Sequence, residues 1–287
     1  MISLENVSKK FGTGVFAVSD ISFSVERGEF LFLVGPTGSG KTTIFRLLIR
    51  EMVPTEGSVV VNSWDLTKLP SKKVPELRKK IGVVFQDLKL LADRTVLENT
   101  ILPLEVIGVK AKEAIARAEE VLKQVGILEH KDKFPVQLSG GELQRAAIAR
   151  ALVLSPDILL ADEPTGNLDD DTSWEIVKLL SEINARGTTV LMATHDTDIV
   201  KRLNKRIIEL KAGSIVHDKG SKVKHHTPSE EHEKKPVSAP SDAEAMDDKK
   251  SSTEQAEDDK DKESAQNKNH DKIKTDDFED ALKEEKE

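Results

Sequence analysis

The chain contains no cysteine. That excludes a disulfide framework and a thiolate metal site, and it leaves the redox compartment unread. No apolar run approaches the roughly 18–20 residues that a membrane-spanning helix needs. The segment MISLENVSKKFG at residues 1–12 holds no apolar stretch of signal-peptide length either. The expectation is a cytoplasmic protein whose membrane role runs through a partner. Repeats of solenoid length are absent, and so is a broad basic field. The 287 residues carry 43 Lys+Arg against 51 Asp+Glu, a formal net charge of −8. Residues 221–287 alone hold about 13 basic and 21 acidic side chains, so the remaining body is near neutral. A neutral body argues against DNA or RNA, and no nucleic acid is expected as a partner.

Short segments rich in Val, Ile, Leu and Phe stand near 2–7, 20–25, 29–34, 57–61, 81–85, 157–161, 188–193 and 206–210 and read as strands. Between them lie stretches of helical period, such as EAIARAEEVLKQVG from Glu113 and the run from Glu142 to Leu154. The alternation predicts an α/β core with a mostly parallel, buried sheet. Residues 87–150 interrupt the strand series and read as an inserted helical subdomain. From Lys219 onward Lys, Glu, Asp, Ser and Gln dominate, with too little apolar surface to offset the entropy of ordering. The predicted division is therefore a folded body over 1–218 and a disordered charged tail over 219–287. Within that tail, Thr275 could cap a short helix with Phe278 and Leu282 on one face.

What is present in the body is a set of phosphate chemistry. The strand EFLFLV runs into GPTGSGKT at 35–42, matching G-x-x-x-x-G-K-[ST] in its strand-to-helix setting. Gly35, Gly38 and Gly40 let backbone N–H groups face a polyphosphate at the start of a helix. Lys41 is expected to reach the β- and γ-phosphates and Thr42 to offer its hydroxyl to Mg²⁺. Pro36, Thr37, Ser39 and Thr43 complete the expected nucleotide-binding loop. In ILLADE at 158–163 an apolar strand delivers Asp162 and Glu163 to its carboxyl end, where ligands sit in open α/β sheets. Asp162 suits the Mg²⁺ shell, and Glu163 suits a base that takes a proton from attacking water. His195 closes the strand TTVLMAT at that same edge and could donate to a phosphate oxygen. In LSGGELQR at 138–145, Ser139 reads as the cap of a long helix, with Gly140 and Gly141 beside it. A second anion-binding helix terminus in a chain that already has one cradle suggests a second nucleotide, supplied across a dimer. The Arg78-Lys79-Lys80 run reads as solvated surface.

LSGGE resembles the signature motif of ATP-binding cassette (ABC) proteins, and its place between the glycine-rich loop and ILLADE is that family's order. The resemblance covers about residues 1–217. It implies a P-loop NTPase fold with a RecA-like core, an antiparallel β subdomain and an inserted helical subdomain. The activity it implies is Mg²⁺-dependent ATP hydrolysis by a homodimer. Gln86 in VVFQD resembles the Q-loop glutamine, a ligand of metal and water whose loop faces the transmembrane partner. Asn167, Leu168 and Asp169 in GNLDD resemble the D-loop of the dimer seam, and His195 in MATHD resembles the switch histidine. Phe11 stands where the family often has an aromatic residue stacked on adenine; the usual residue is Tyr, and Phe keeps the π-face without the hydroxyl. Only about 97 residues separate Lys41 from Ser139, too few for the coiled coil of chromosome-maintenance relatives.

Several stretches, among them FQDLKLLADRTVLEN, FPVQLSGGE, ADEPTGNLDDDTSWEI and GTTVLMATHD, are similar to the cell-division branch of the family in bacteria. SGGE and ADEPTGNLD are shared with lipoprotein-release and macrolide-export cassettes, whereas DRTV and TSWEI favour division. That branch implies an integral membrane partner resembling FtsX, and through it cell-wall hydrolases and the division ring. The chain would then sit on the cytoplasmic face of the membrane. Transport and a nucleotide-gated scaffold are the competing readings. Retention of Lys41, Asp162, Glu163 and His195 argues for turnover.

Overall fold

In a computed structural model, residues 1–12 and 14–220 are described; the expected tail, with Thr275, Phe278 and Leu282, lies outside the described residues except for Lys219 and Gly220. Two sheets organise them. Strands β1 (Ile2–Lys10), β2 (Phe16–Val25), β4 (Glu56–Val61) and β5 (Trp64–Asp65) form an antiparallel sheet in the order β2-β1-β4-β5. The second sheet contains β3 (Phe30–Val34), β6 (Ile81–Val84), β7 (Ile158–Asp162), β8 (Thr189–Thr194), β9 (Arg206–Lys211) and β10 (Ser214–Lys219). Its order is β10-β9-β3-β8-β7-β6, parallel throughout except for the β9-β10 hairpin.

The parallel strands are apolar because both of their faces are covered. Side chains alternate across a strand, and the two faces feed two cores. Leu31, Leu33, Leu160, Leu191 and Ala193 pack with helix α1 (Lys41–Leu48) and the antiparallel sheet. Phe30, Phe32, Leu159, Ala161, Val190 and Met192 pack with α5 (Gly140–Leu152) and α6 (Asp170–Ala185). A short helix α2 (Val74–Arg78) precedes β6, and α7 (Thr197–Leu203) follows β8.

Between β6 and β7 come α3 (Val96–Val106), α4 (Ala111–Val125) and α5. Helix α3 starts on a capping box in which Thr95 accepts from the Glu98 N–H and Glu98 accepts from the Thr95 N–H. Helix α4 stops at Gly126, which takes the left-handed conformation of a C-terminal cap. Leu104, Ala114, Ala118 and Val153 form a small core that joins these helices.

Three details depart from the expectation. Strand β2 begins at Phe16, earlier than position 20. Strands β5 and β10 were not expected at all; each is the return arm of a two-residue hairpin, across Asn62–Ser63 and Ala212–Gly213, whose φ values are all positive. That is the backbone twist such turns require. Finally, Arg78 is exposed but is not merely solvated: its Nε donates to the Ile49 carbonyl oxygen at 3.0 Å, just beyond the end of α1.

Candidate nucleotide site

The cradle is the loop between β3 and α1. Gly40 precedes α1 with φ 106°, and a Cβ there would stand 2.7 Å from both the Ala17 carbonyl oxygen and Val18 Cγ1. A Cβ on Gly35 would stand 2.3 Å from the Leu210 carbonyl oxygen. Both positions therefore need glycine for space, and the loop is pressed against β2 and β9. No acidic side chain occupies the first turn of α1 and none caps it, so its leading N–H groups are left for an anion. Lys41 is 4% exposed and donates to the carbonyl oxygens of Gly35 at 2.7 Å and Pro36 at 3.2 Å. Its Nζ also lies 3.3 Å from Glu163 Oε1, which compensates the buried cation.

Strand β7 brings Asp162 to the same point. Thr42 Oγ1 donates to Asp162 Oδ2 at 2.9 Å. Burial pushes the Asp162 carboxyl above the ordinary carboxylate range; the Thr42 hydrogen bond opposes this, Glu163 adds to it, and Lys41 and Arg46 oppose it. The next residue, Glu163, has φ 47°, a left-handed conformation that is uncommon outside glycine. Its N–H donates to the Ala193 carbonyl oxygen at 3.0 Å, strapping the turn to β8. The turn aims the carboxylate between two nitrogen groups: Oε1 faces Lys41, and Oε2 lies 3.3 Å from His195 Nδ1. His195 is exposed and stands between β8 and α7, whose cap Asp196 accepts from the N–H groups of Asp198 and Ile199.

Thr37, Gly38, Gly40, Lys41, Thr42, Thr43, Gln86 and Glu163 line a cavity of about 170 Å³ together with Ala17. Thr42, Gln86, Asp162 and Asn167 help to line a larger one of about 460 Å³. Gln86 is exposed, directly after β6 and Phe85. Leu88 and Lys89 that follow both have positive φ, and the Arg150 guanidinium donates to both of their carbonyl oxygens. Phe11 lines neither cavity; it is 44% exposed with Lys9 Nζ 5.9 Å above its ring, so it is no core residue.

Ser139, Gly140 and Gly141 line neither cavity; at the start of α5 Ser139 and Gly140 are exposed and Gly141 is half-buried. Ser139 caps α5 in a box with Glu142. The Ser139 N–H and then its hydroxyl hold the Glu142 carboxyl below the ordinary range. A Cβ on Gly141 would stand 2.7 Å from Thr172 Cγ2 and one on Gly140 3.0 Å from Leu168 Cδ2; the signature segment is thus seated against the 167–172 turn. Asp169 there caps α6, accepting from the Thr172 N–H at 2.9 Å and the Thr172 hydroxyl at 2.7 Å.

The pattern of the ABC transporter family matches residues 18–166. The cell division ATP-binding protein FtsE of Bacillus subtilis (strain 168) is 50% identical over 218 residues, 76% of this chain and 96% of that protein. This chain belongs to the ABC transporter family. It is an ATP-hydrolysing cassette of that family. The cell division ATP-binding protein FtsE of Streptococcus pneumoniae serotype 2 (strain D39 / NCTC 7466) is 49% identical over 76% of this chain and 95% of that one. Among solved structures, the dimeric post-hydrolysis state of the ATP-binding cassette MJ0796 bound to ADP and Pi matches with TM-score 0.70. It is 37% identical and covers 76% of this chain and 97% of that chain.

Sequence reasoning missed three parts of this ABC cassette's site. Ala17 lines the cradle because β2 passes under Gly40, and no local signal marks it. Arg150 reads as one more polar residue of α5 until its contact with the Gln86 loop is seen. Glu142 was missed as well: Ser139 alone was read as the cap, and the Glu142 contact with His130 carries no spacing signal.

Proposed function

We propose that this cassette drives a bacterial cell-division membrane complex as an ATP-closed homodimer. One observation carries the catalytic part of the reading: Lys41, Glu163 and His195 form a single chain of contacts beside the Thr42–Asp162 pair, at the mouth of a glycine cradle. Lys41 turns from Glu163 to the β- and γ-phosphates when ATP enters, and Glu163 is released to take a proton from the attacking water. His195 donates to the γ-phosphate. The Thr42 hydroxyl, Asp162 carboxylate and Gln86 amide are the oxygen donors that Mg²⁺ prefers; bound there, Mg²⁺ supplies neutralisation of phosphate charge. Phe11 stacks on adenine. Ser139, Gly140, Gly141 and Asp169 close on the nucleotide of the second copy, consistent with the exposure of Ser139, Gly140 and Asp169 on one chain.

The cell-division role draws on the relatives, which are cell division ATP-binding proteins matched over nearly their whole length. Among the described residues no helix is long and apolar enough to cross a membrane. An integral partner resembling FtsX holds the cassette at the membrane and passes its motion to cell-wall hydrolases. A cavity of about 550 Å³ beside the Gln86 loop, lined by Val83, Phe85, Leu102 and Pro103 among others, is the proposed seat of that partner. The test has two arms. Lys41→Ala is expected to abolish Mg²⁺-dependent ATP hydrolysis, and the tagged chain is expected to co-purify with one integral membrane protein from detergent extracts. Undiminished turnover by Lys41→Ala would overturn the site assignment; recovery without any membrane protein would overturn the partner.

A further inference from the structure

His130 lies in a short turn, Leu128–His130, upstream of the signature segment. Its Nε2 is 2.7 Å from Glu142 Oε1. Glu142 Oε2 in turn accepts from the Ser139 N–H at 2.6 Å and the Ser139 hydroxyl at 2.8 Å. The other ring nitrogen, Nδ1, is buried with no hydrogen-bond partner among the described residues, so the imidazole's close polar contact is with Glu142. Two charged groups face the pair. Glu129 Oε1 is 3.8 Å from the same His130 nitrogen, and Lys133 acts on Glu142. Lys131 is tied to Glu119 on α4 and Arg145 to Glu175 on α6, so neither is free to replace the imidazole.

We infer that His130 is a positioning residue for Ser139, setting through Glu142 how readily the serine hydroxyl and its helix terminus accept the γ-phosphate of a second copy. The inference rests on the ATP-closed homodimer proposed above. A serine hydroxyl has one proton. In the single chain that proton is given to Glu142, and a hydroxyl so committed turns lone pairs toward an incoming phosphate. Glu142 also places a full negative charge at the helix terminus where the phosphate must dock, opposing the helix dipole. A protonated imidazole 2.7 Å from Oε1 draws the carboxylate's charge to that oxygen. It thereby weakens Oε2 as an acceptor and offsets the local negative field. Protonation of His130 thus favours closure, and its neutral form leaves Glu142 in competition with the phosphate.

The test uses the full chain carrying Glu163→Gln, with ATP and Mg²⁺, and reads dimer formation by sedimentation at about pH 6 and about pH 8. Lowering the pH is expected to reduce the ATP concentration for half-maximal dimer by about two- to fivefold, the scale of one charge at an exposed helix terminus. Adding His130→Lys is expected to keep the low value at both pH values, and adding His130→Ala the high value at both. His130→Gln, which retains an uncharged N–H, serves should the alanine variant melt early, and behaves like alanine in its pH response. His195 is present in all of these chains, so the differences between them report on His130. In a chain that also carries Glu142→Gln, substitutions at His130 become silent. Equal ATP dependence for His130→Lys, His130→Gln and the parent at both pH values overturns the inference, as does an effect that survives Glu142→Gln. A Glu163→Gln parent that never dimerises overturns the homodimer reading, and the inference with it.

Discussion

Replacing Glu163 by Gln changes one charge at the centre of the site and little else. The carboxylate stands 3.3 Å from Lys41 Nζ and 3.3 Å from His195 Nδ1, so the amide occupies the same volume and keeps an acceptor for one of them. Lys41 retains the Gly35 and Pro36 carbonyl oxygens at 2.7 and 3.2 Å. The nucleotide-free protein should therefore lose only about 1–2 kcal/mol, less than the cost of stranding a buried cation outright. ATP binding should tighten, because Lys41 no longer leaves a carboxylate to reach the phosphates and no negative charge faces them. Turnover should fall about 10²- to 10⁴-fold, the usual contribution of a general base. The assay is single-turnover hydrolysis beside equilibrium ATP binding on the same preparation. A turnover loss under about tenfold would show that Glu163 is not the base. Weaker ATP binding would show that its main work is to hold Lys41 in place.

Three further outcomes follow from individual contacts. Asp162 has its proton affinity raised by burial, so its contribution to stability is fully present below the ordinary Asp range and is lost as pH rises through the raised value. Asp162→Asn should therefore raise the nucleotide-free melting temperature at pH 7, by about 2–4 °C for a gain near 1 kcal/mol, while ATP hydrolysis collapses; a lower melting temperature refutes the sign. Gly82→Ala places a Cβ 2.4 Å from the Ala151 carbonyl oxygen and should cost about 1–3 kcal/mol in a denaturant titration, because the backbone of α5 must move; an unchanged midpoint refutes the close approach. Arg150→Ala removes both donors from the Leu88 and Lys89 carbonyls. It should speed amide exchange across residues 86–91 and lower stability by about 1–3 kcal/mol, whereas unchanged exchange would mean the loop holds its left-handed turn unaided.

Much of the fold was legible because its signals are local. FLFLV, ILLAD and TVLMAT are buried on both faces, and only continuous apolar runs satisfy that. Ser139 and Thr95 each precede a glutamate by three residues, and both spacings became capping boxes. The hairpin arms β5 and β10 were less legible: two residues in one case and an exposed edge in the other leave no apolar period to find.

By itself the sequence determined the cradle, the acidic strand end, the histidine strand end and the signature cap, since each is a run of neighbouring residues whose backbone conformation and burial demand those types. Only the tertiary structure decided that Lys41, Glu163 and His195 form one chain and that Thr42 donates to Asp162, 120 positions away. It alone decided that Gly82 is bare because α5 crosses it and that His130 faces Glu142. Those contacts join segments whose spacing along the chain carries no period. They exist because parallel strands β3, β7 and β8 lie side by side and α5 packs across them, an arrangement set by burial of the whole sheet rather than by any stretch of it.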